Sequence, residues 1–217
     1  MSLDTKTVLE AVKQARENSG KRKFNQSIEL VINLQDIDMK KPEGKIQETI
    51  ELPHPSPSKK SMVCIIAGGE LALKAKKAGA ELVIGSAELE GLATDKKRQK
   101  QLAGKYDVFI AEAPLMPLVG KTLGATLGPR DKMPKPVPPS ADIEAQIEKW
   151  RKTISVKLRN QPILQCTVGT EDMKDEEIAE NVITVVRRIE GKLKRGLKNI
   201  TTIYLKATMG KPTRIKL

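Results

Sequence analysis

The run Pro53-His54-Pro55-Ser56-Pro57-Ser58-Lys59-Lys60 limits what this chain can fold into more than any other stretch. Each proline fixes φ and removes a backbone donor, so no helix or strand can pass through it. A domain junction is expected there. The hydrophobic pattern changes in kind across it. Before the break, Asp4 can cap a helix whose apolar face is Val8, Leu9, Val12 and Ala15, with Leu3 packing on Val8 as a staple and Gly20 as the stop. Ile28, Leu30, Ile32 and Leu34 then alternate with Glu29, Val31 and Asn33, which predicts a strand buried on one face. A second strand can run through Ile46, Ile50 and Leu52.

Beyond the break, strands and helices alternate. A strand over Met62 to Ile66, a helix over Glu70 to Lys77, a strand over Glu81 to Ile84, one helix from Glu88 to Leu102 and a strand from Tyr106 to Ala111 imply a parallel sheet with right-handed crossovers. A second proline-rich stretch, from Gly128 through Pro139, follows with no element assigned to it. After a helix over Asp142 to Trp150 the α+β pattern returns. Strands over Ile154 to Leu158 and Ile163 to Val168, a long helix from Asp175 to about Leu193, and a last strand from Ile200 to Ala207 complete the reading. The fold class predicted is therefore mixed. A discontinuous α+β outer domain (residues 1–60 and 154–217) is interrupted by a Rossmann-like three-layer α/β domain (61–153).

Charge says what such a chain would meet. With 39 Lys and Arg against 27 Asp and Glu, the 217 residues carry a formal net charge of +12. Uncompensated cations favour a polyanion, because each neutralised phosphate releases condensed counterions. Residues 1–60 hold 11 basic and 9 acidic groups, 61–153 hold 15 and 11, and 154–217 hold 13 and 7, so the two ends carry +8 of the excess. A nucleic-acid surface is expected on the outer domain. No apolar run approaches the roughly 20 residues a membrane span needs, and the first 20 residues read as a polar helix without a signal core. Cys64 and Cys166 are too few and too isolated for a disulfide framework, and His54 is the only histidine. These features predict a cytoplasmic protein with no membrane partner, no metal, no cofactor and no catalytic triad.

Four motifs are candidates for chemistry. Ala67-Gly68-Gly69-Glu70 after a strand resembles a phosphate turn, but it lacks G-x-G-x-x-G and the Walker lysine, and Glu70 would repel phosphate. A tight turn is the plainer reading, with a nucleotide-binding α/β enzyme as the alternative. DNA binding would call for a recognition helix, which no segment resembles. In Lys21-Arg22-Lys23-Phe24-Asn25-Gln26-Ser27 the cations can position phosphates, the polar side chains can bond bases or sugars, and Phe24 can cover a base. By itself this run reads more plainly as a solvated loop with Phe24 anchored in the core. Thr208-Met209-Gly210-Lys211 can expose groups to a ribose edge or be an ordinary turn, and Lys192-Leu193-Lys194-Arg195 can be either an RNA contact or a helix-dipole complement.

Three segments together change the weighting. Lys23-Phe24-Asn25-Gln26-Ser27-Ile28-Glu29-Leu30, then Leu127-Gly128-Pro129-Arg130-Asp131-Lys132-Met133-Pro134-Lys135-Pro136, then Thr208-Met209-Gly210 resemble the universal family of large-subunit ribosomal proteins of the mobile L-one stalk. The segment from Asp36 to Glu43 resembles its archaeal branch, and the likeness extends over essentially the whole chain. The resemblance implies a non-enzymatic, monomeric protein of two domains. Its partners would be large-subunit ribosomal RNA, exit-site transfer RNA and its own messenger RNA, whose translation it would repress. It also implies RNA contacts at Phe24, Ser27, Glu29, Thr208, Met209 and Gly210, with the Thr208 hydroxyl on a ribose 2′-hydroxyl; Lys23 and Lys211 join them as phosphate contacts. The chain departs from the family where Asp131 replaces a glycine and where Lys211 precedes Pro212 after the turn. Asp131 leaves the local backbone conformation open, and Lys211 can alter the turn or add a phosphate contact.

Overall fold

The computed structural model describes residues 4–38, 46–139, 141–159 and 161–216. The chain divides into two compact units, one built from residues 1–60 and 152–217 and the other from 61–151. Along the chain the elements are α1 (Thr5–Glu17), β1 (Ser27–Leu34), β2 (Gln47–Glu51), β3 (Val63–Ile66), α2 (Gly69–Lys77), β4 (Leu82–Ile84), α3 (Ser86–Leu92), α4 (Lys96–Lys105) and β5 (Val108–Glu112). They continue with α5 (Met116–Leu127), β6 (Lys135–Val137), α6 (Ile143–Arg151), β7 (Thr153–Lys157), β8 (Ile163–Thr170), α7 (Asp175–Glu190), β9 (Ile200–Ala207) and β10 (Thr213–Ile215).

In the split unit an antiparallel sheet runs in the order β10-β9-β1-β8. Strict alternation in β1 turns Ile28, Leu30, Ile32 and Leu34 inward, where they pack with Val8, Val12 and Ala15 of α1 and with Ile178, Val182, Val185 and Ile189 of α7. Each such side chain contributes roughly 1.5 to 3 kcal/mol of transfer free energy. The Asp4 carboxylate accepts from the Lys6 amide at 3.4 Å and starts α1. The Leu3 staple lies outside the described residues. Helix α7 has Asp175, Glu176 and Glu177 in its first turn and Arg187 and Arg188 in its last, both in the sense its dipole favours.

The proline run is fastened to this unit rather than slack. Asn181, fully buried on α7, accepts from the His54 amide (3.0 Å) and donates to the carbonyls of His54 and Val168 (2.8 Å each). The His54 ring meets Glu180 at 2.7 Å. β2 pairs antiparallel with β7, Glu51 opposite Thr153, so the chain leaves and re-enters the unit along one two-stranded ribbon.

The inserted unit has a parallel sheet in the order β4-β3-β5-β6. α3, α4 and α5 share one core with it and α2 and α6 another, which makes three layers. The fold is thus α+β in one unit and α/β in the other.

Four sequence readings need correction. The single helix over 88–102 is two, because Asp95 caps a new start by accepting from the Arg98 amide at 2.9 Å. The strand expected from Tyr106 begins at Val108, since the Tyr106 amide still bonds the Leu102 carbonyl and closes α4. The second proline stretch contains β6, an edge strand, where Pro136 has no ladder donor to lose on the open side. β9 is followed by β10, which pairs with it. Helix α5 had no counterpart in the sequence reading. Asp131 adopts φ 58°, ψ 25°, the left-handed conformation that glycine takes freely and that aspartate tolerates better than most residues, so the departure from the family pattern keeps a glycine-like backbone.

Candidate nucleic-acid interface

The start of β1 and the end of β9 are antiparallel neighbours, Ile28 opposite Ala207, so segments about 180 residues apart meet at one end of the sheet. The Thr208 amide and hydroxyl both donate to the Ser27 carbonyl, at 3.0 and 3.2 Å. The turn is closed by the Gly210 amide on the Ala207 carbonyl at 2.9 Å. Gly210 suits a close approach: a Cβ there would stand 3.1 Å from the Ser19 Cα, and that backbone would have to give by a few tenths of an ångström.

Gln26 locks the two segments together. Fully buried, it accepts from the Met209 amide at 3.0 Å and donates to the Gly20 carbonyl at 3.2 Å and to Glu171 at 2.9 Å. Glu171 also accepts from the Gln26 amide (3.1 Å) and the Ser19 hydroxyl (3.2 Å). Fully buried, with both amide protons donated and its oxygen engaged, the side chain cannot reach a base, which corrects the reading of Gln26 as a base-contacting residue.

What the lock presents outward is different in chemistry. Phe24 is 54% exposed and Met209 58%, so Phe24 is not the core anchor that the plainer reading of its loop supposed. Lys21, Arg22, Lys23 and Lys211 are exposed beside them in sequence. Ser27 is buried, and its hydroxyl accepts from Lys59 at 3.2 Å. Glu29 is half-buried on the sheet face away from the helices, level with Lys206 of β9 and Thr167 of β8. Because the Thr208 hydroxyl spends its proton on Ser27, its free lone pairs make it an acceptor.

A second polar cluster backs the segment. Asn25 donates to the Ser58 hydroxyl at 2.8 Å, and the Ser56 and Thr170 hydroxyls meet at 2.7 Å. Thr170 in turn donates to Asp172. Burial pushes the Asp172 carboxyl up, but hydrogen bonds from Thr170, Asn25, its own amide and Ser58 outweigh it and hold the carboxyl below its ordinary range. Ser19, Glu171, Asp172 and Lys59 are members of the site that sequence reasoning missed.

The remaining motifs are occupied by partners within the protein. Lys192 pairs with Glu48 at 3.0 Å and Arg195 with Asp36 at 3.1 Å, so the cluster after α7 is compensated within the unit. In the inserted unit the Gly68 amide, where a nucleotide phosphate would bind, donates to Glu112 at 3.0 Å. An internal carboxylate therefore takes that anion position. Burial, with Glu88 adding to it, pushes the Cys64 thiol up to about 12, and burial alone does the same for Cys166, so neither is a nucleophile at neutral pH. Among the described residues no group of three His, Cys, Asp or Glu could hold a metal ion, and no helix is long and apolar enough to cross a membrane.

Residues 12–211 match the model of the ribosomal protein L1p/L10e family. The chain is similar to proteins named large ribosomal subunit protein uL1: 45% identical to that of Methanothermobacter thermautotrophicus, over 96% of this chain and 98% of the relative. It is 46% identical to that of Pyrococcus abyssi, over 100% and 98%, and 42% identical to that of Thermococcus kodakarensis, over the full length of both.

Proposed function

The chain belongs to the ribosomal protein L1p/L10e family, of the archaeal uL1 type, and from that premise we propose that it binds large-subunit ribosomal RNA through the joined ends of β1 and β9. It is a structural protein of the large ribosomal subunit in the cytoplasm and not an enzyme. The observation that carries the RNA reading is the exposed pair Phe24 and Met209, one in each of the two segments that Gln26 and Glu171 tie together. Two large apolar side chains left in water on a rigid support suit stacking against bases and riboses.

Each residue then has a part. Thr208 accepts a hydrogen bond from a ribose 2′-hydroxyl, and Lys23 and Lys211 meet phosphates. Gly210 lets the RNA backbone approach, Ser27 sets the carbonyl that holds Thr208, and Glu29 accepts from a base or sugar on the open sheet face. The discontinuous domain, residues 1–60 and 154–217, is the RNA-holding part, and 61–153 is the extension that reaches exit-site transfer RNA and helps it leave. Free of the ribosome the chain is a monomer. It represses translation of its own messenger RNA with the same surface, because one site cannot hold both RNAs.

The test is the affinity of Phe24→Ala with Met209→Ala for large-subunit ribosomal RNA. Both side chains are largely exposed, so the fold should stand while affinity falls by about tenfold or more, from roughly 1 to 3 kcal/mol per stacked group. Unchanged affinity would place the interface elsewhere.

A further inference from the structure

Helix α4, with the sequence KKRQKQLAGK, gathers cations in the turn where a helix favours them least. Its first turn holds Lys96, Lys97 and Arg98 and no acidic residue, so three cations face the positive end of the helix dipole against the single carboxylate of the Asp95 cap. Lys96 and Lys100 stand four residues apart and Lys97 and Lys100 three apart, the spacings at which like charges repel. Nothing in the packing asks for this, since only Gln99 and Ala103 of the helix are buried.

Some of its cations are engaged. Arg98 pairs with Glu88 at 3.0 Å, and Lys105 lies 5.6 Å from the centre of the Tyr106 ring. Lys96, Lys97 and Lys100 are exposed, and no carboxylate among the described residues pairs with them. A fourth cation extends their row. Gly104 lies one turn beyond Lys100 on the same flank, and the Arg130 guanidinium reaches to 3.9 Å from where a Cβ on Gly104 would stand. Arg130 is itself exposed and unpaired among the described residues.

The row is also held still. Gln99 donates to the Leu92 carbonyl at 2.7 Å and accepts from Thr126 of α5 at 2.8 Å, tying α4 to α3 and α5. Lys132 closes the other end of α4 on the carbonyls of Ala103 (3.1 Å) and Tyr106 (2.7 Å).

We propose that Lys96, Lys97, Lys100 and Arg130 form a second RNA contact, on the inserted unit, that grips phosphates without reading sequence. It goes beyond the β1–β9 interface and uses none of its residues. Protein interfaces are centred on apolar side chains and depleted in lysine, whereas α4 exposes no large apolar residue, so a phosphate backbone is the partner the ridge fits. A row of point charges with no aromatic ring offers no readout of base identity.

The experiment uses the full chain and two probes, large-subunit ribosomal RNA and a duplex RNA of arbitrary sequence, each titrated across a salt series. The variant Lys97→Gln, Lys100→Gln, Arg130→Gln is compared with Lys74→Gln, Lys76→Gln, Lys77→Gln on α2, which removes the same charge from the opposite layer of the unit. Each phosphate left without its cation lowers the slope of log affinity against log salt by about 0.7 to 0.9. The ridge variant should therefore lose about 2 from that slope and about tenfold or more in low-salt affinity for the arbitrary duplex. The α2 variant should lose much less. Thermal stability of the ridge variant should hold or rise, because glutamine keeps helix propensity and relieves the dipole clash. An unchanged slope, or an equal loss in the α2 variant, would overturn the ridge. Unchanged RNA binding with lost binding to polyglutamate would assign it to an acidic protein instead and overturn it as well. A wild-type chain with no preference for large-subunit ribosomal RNA over the arbitrary duplex would overturn the β1–β9 reading and leave the ridge result readable.

Discussion

Replacing Gln26 with leucine removes the lock beneath the interface without touching any exposed side chain. Three hydrogen bonds go: from the Met209 amide, to the Gly20 carbonyl and to Glu171. A stranded buried polar group costs about 1 to 3 kcal/mol. Gly20 is exposed and Glu171 half-buried, so water can replace part of what they lose, and the total should lie near 2 kcal/mol. The turn keeps its bonds from Thr208 to Ser27, so Met209 is the residue chiefly freed. Fixing one residue's backbone again on binding costs roughly 1 to 2 kcal/mol, or about five- to thirtyfold in RNA affinity. Charge is unchanged, so the salt slope should be too. Urea unfolding gives the first number and filter binding across a salt series the second. A variant within about 0.5 kcal/mol of wild type that binds RNA with full affinity would refute the claim that Gln26 holds the turn.

Other perturbations separate the remaining contributions. Thr208→Ala should cost little stability, because the Thr208 amide still serves the Ser27 carbonyl, yet lower RNA affinity by about ten- to hundredfold through a lost bond of roughly 1 to 3 kcal/mol; equal affinity at every salt concentration would remove the hydroxyl from the interface. Lys211→Ala should weaken binding modestly and reduce the salt slope by about one phosphate contact. Deleting residues 61–151 and bridging the ends with a short flexible linker should leave most ribosomal RNA affinity at high salt, where a phosphate-only contact on the inserted unit is screened. Loss of nearly all binding by a folded split unit would give the insertion the principal surface. Asp172 is held below its ordinary range when folded, so its contribution to stability is present at neutral pH and fades as pH falls through that lowered value; the difference in urea midpoint between wild type and Asp172→Asn should be small at neutral pH and vanish in acid.

The parts of the fold legible in the sequence are those fixed by local periodicity. The alternation of Ile28, Leu30, Ile32 and Leu34 and the apolar face of α7 needed no knowledge of partners. The split of the helix at Asp95 was hidden because its cap is one carboxylate inside a polar run, and β6 because prolines that bar a central strand are harmless on an edge. At the interface the residue types were readable and their directions were not. Phe24 and Gln26 lie two positions apart, and only tertiary partners decide that the aromatic ring faces water while the amide is buried. Those partners, Glu171 and Met209, are 145 and 183 residues away. Gly210 is not among the positive-φ glycines, so the pressure for a small residue there comes from Ser19 across the turn and left no local trace.

Whether the joined ends of β1 and β9 hold large-subunit ribosomal RNA is decided by where RNA touches the chain. Crosslinking the full chain to total cellular RNA and mapping both sides of each link tests it most directly. Large-subunit ribosomal RNA should dominate, and its links to the split unit should fall within residues 21–29 and 208–211. A flat distribution over transcripts, or ribosomal RNA linked chiefly to residues 61–151, would contradict it.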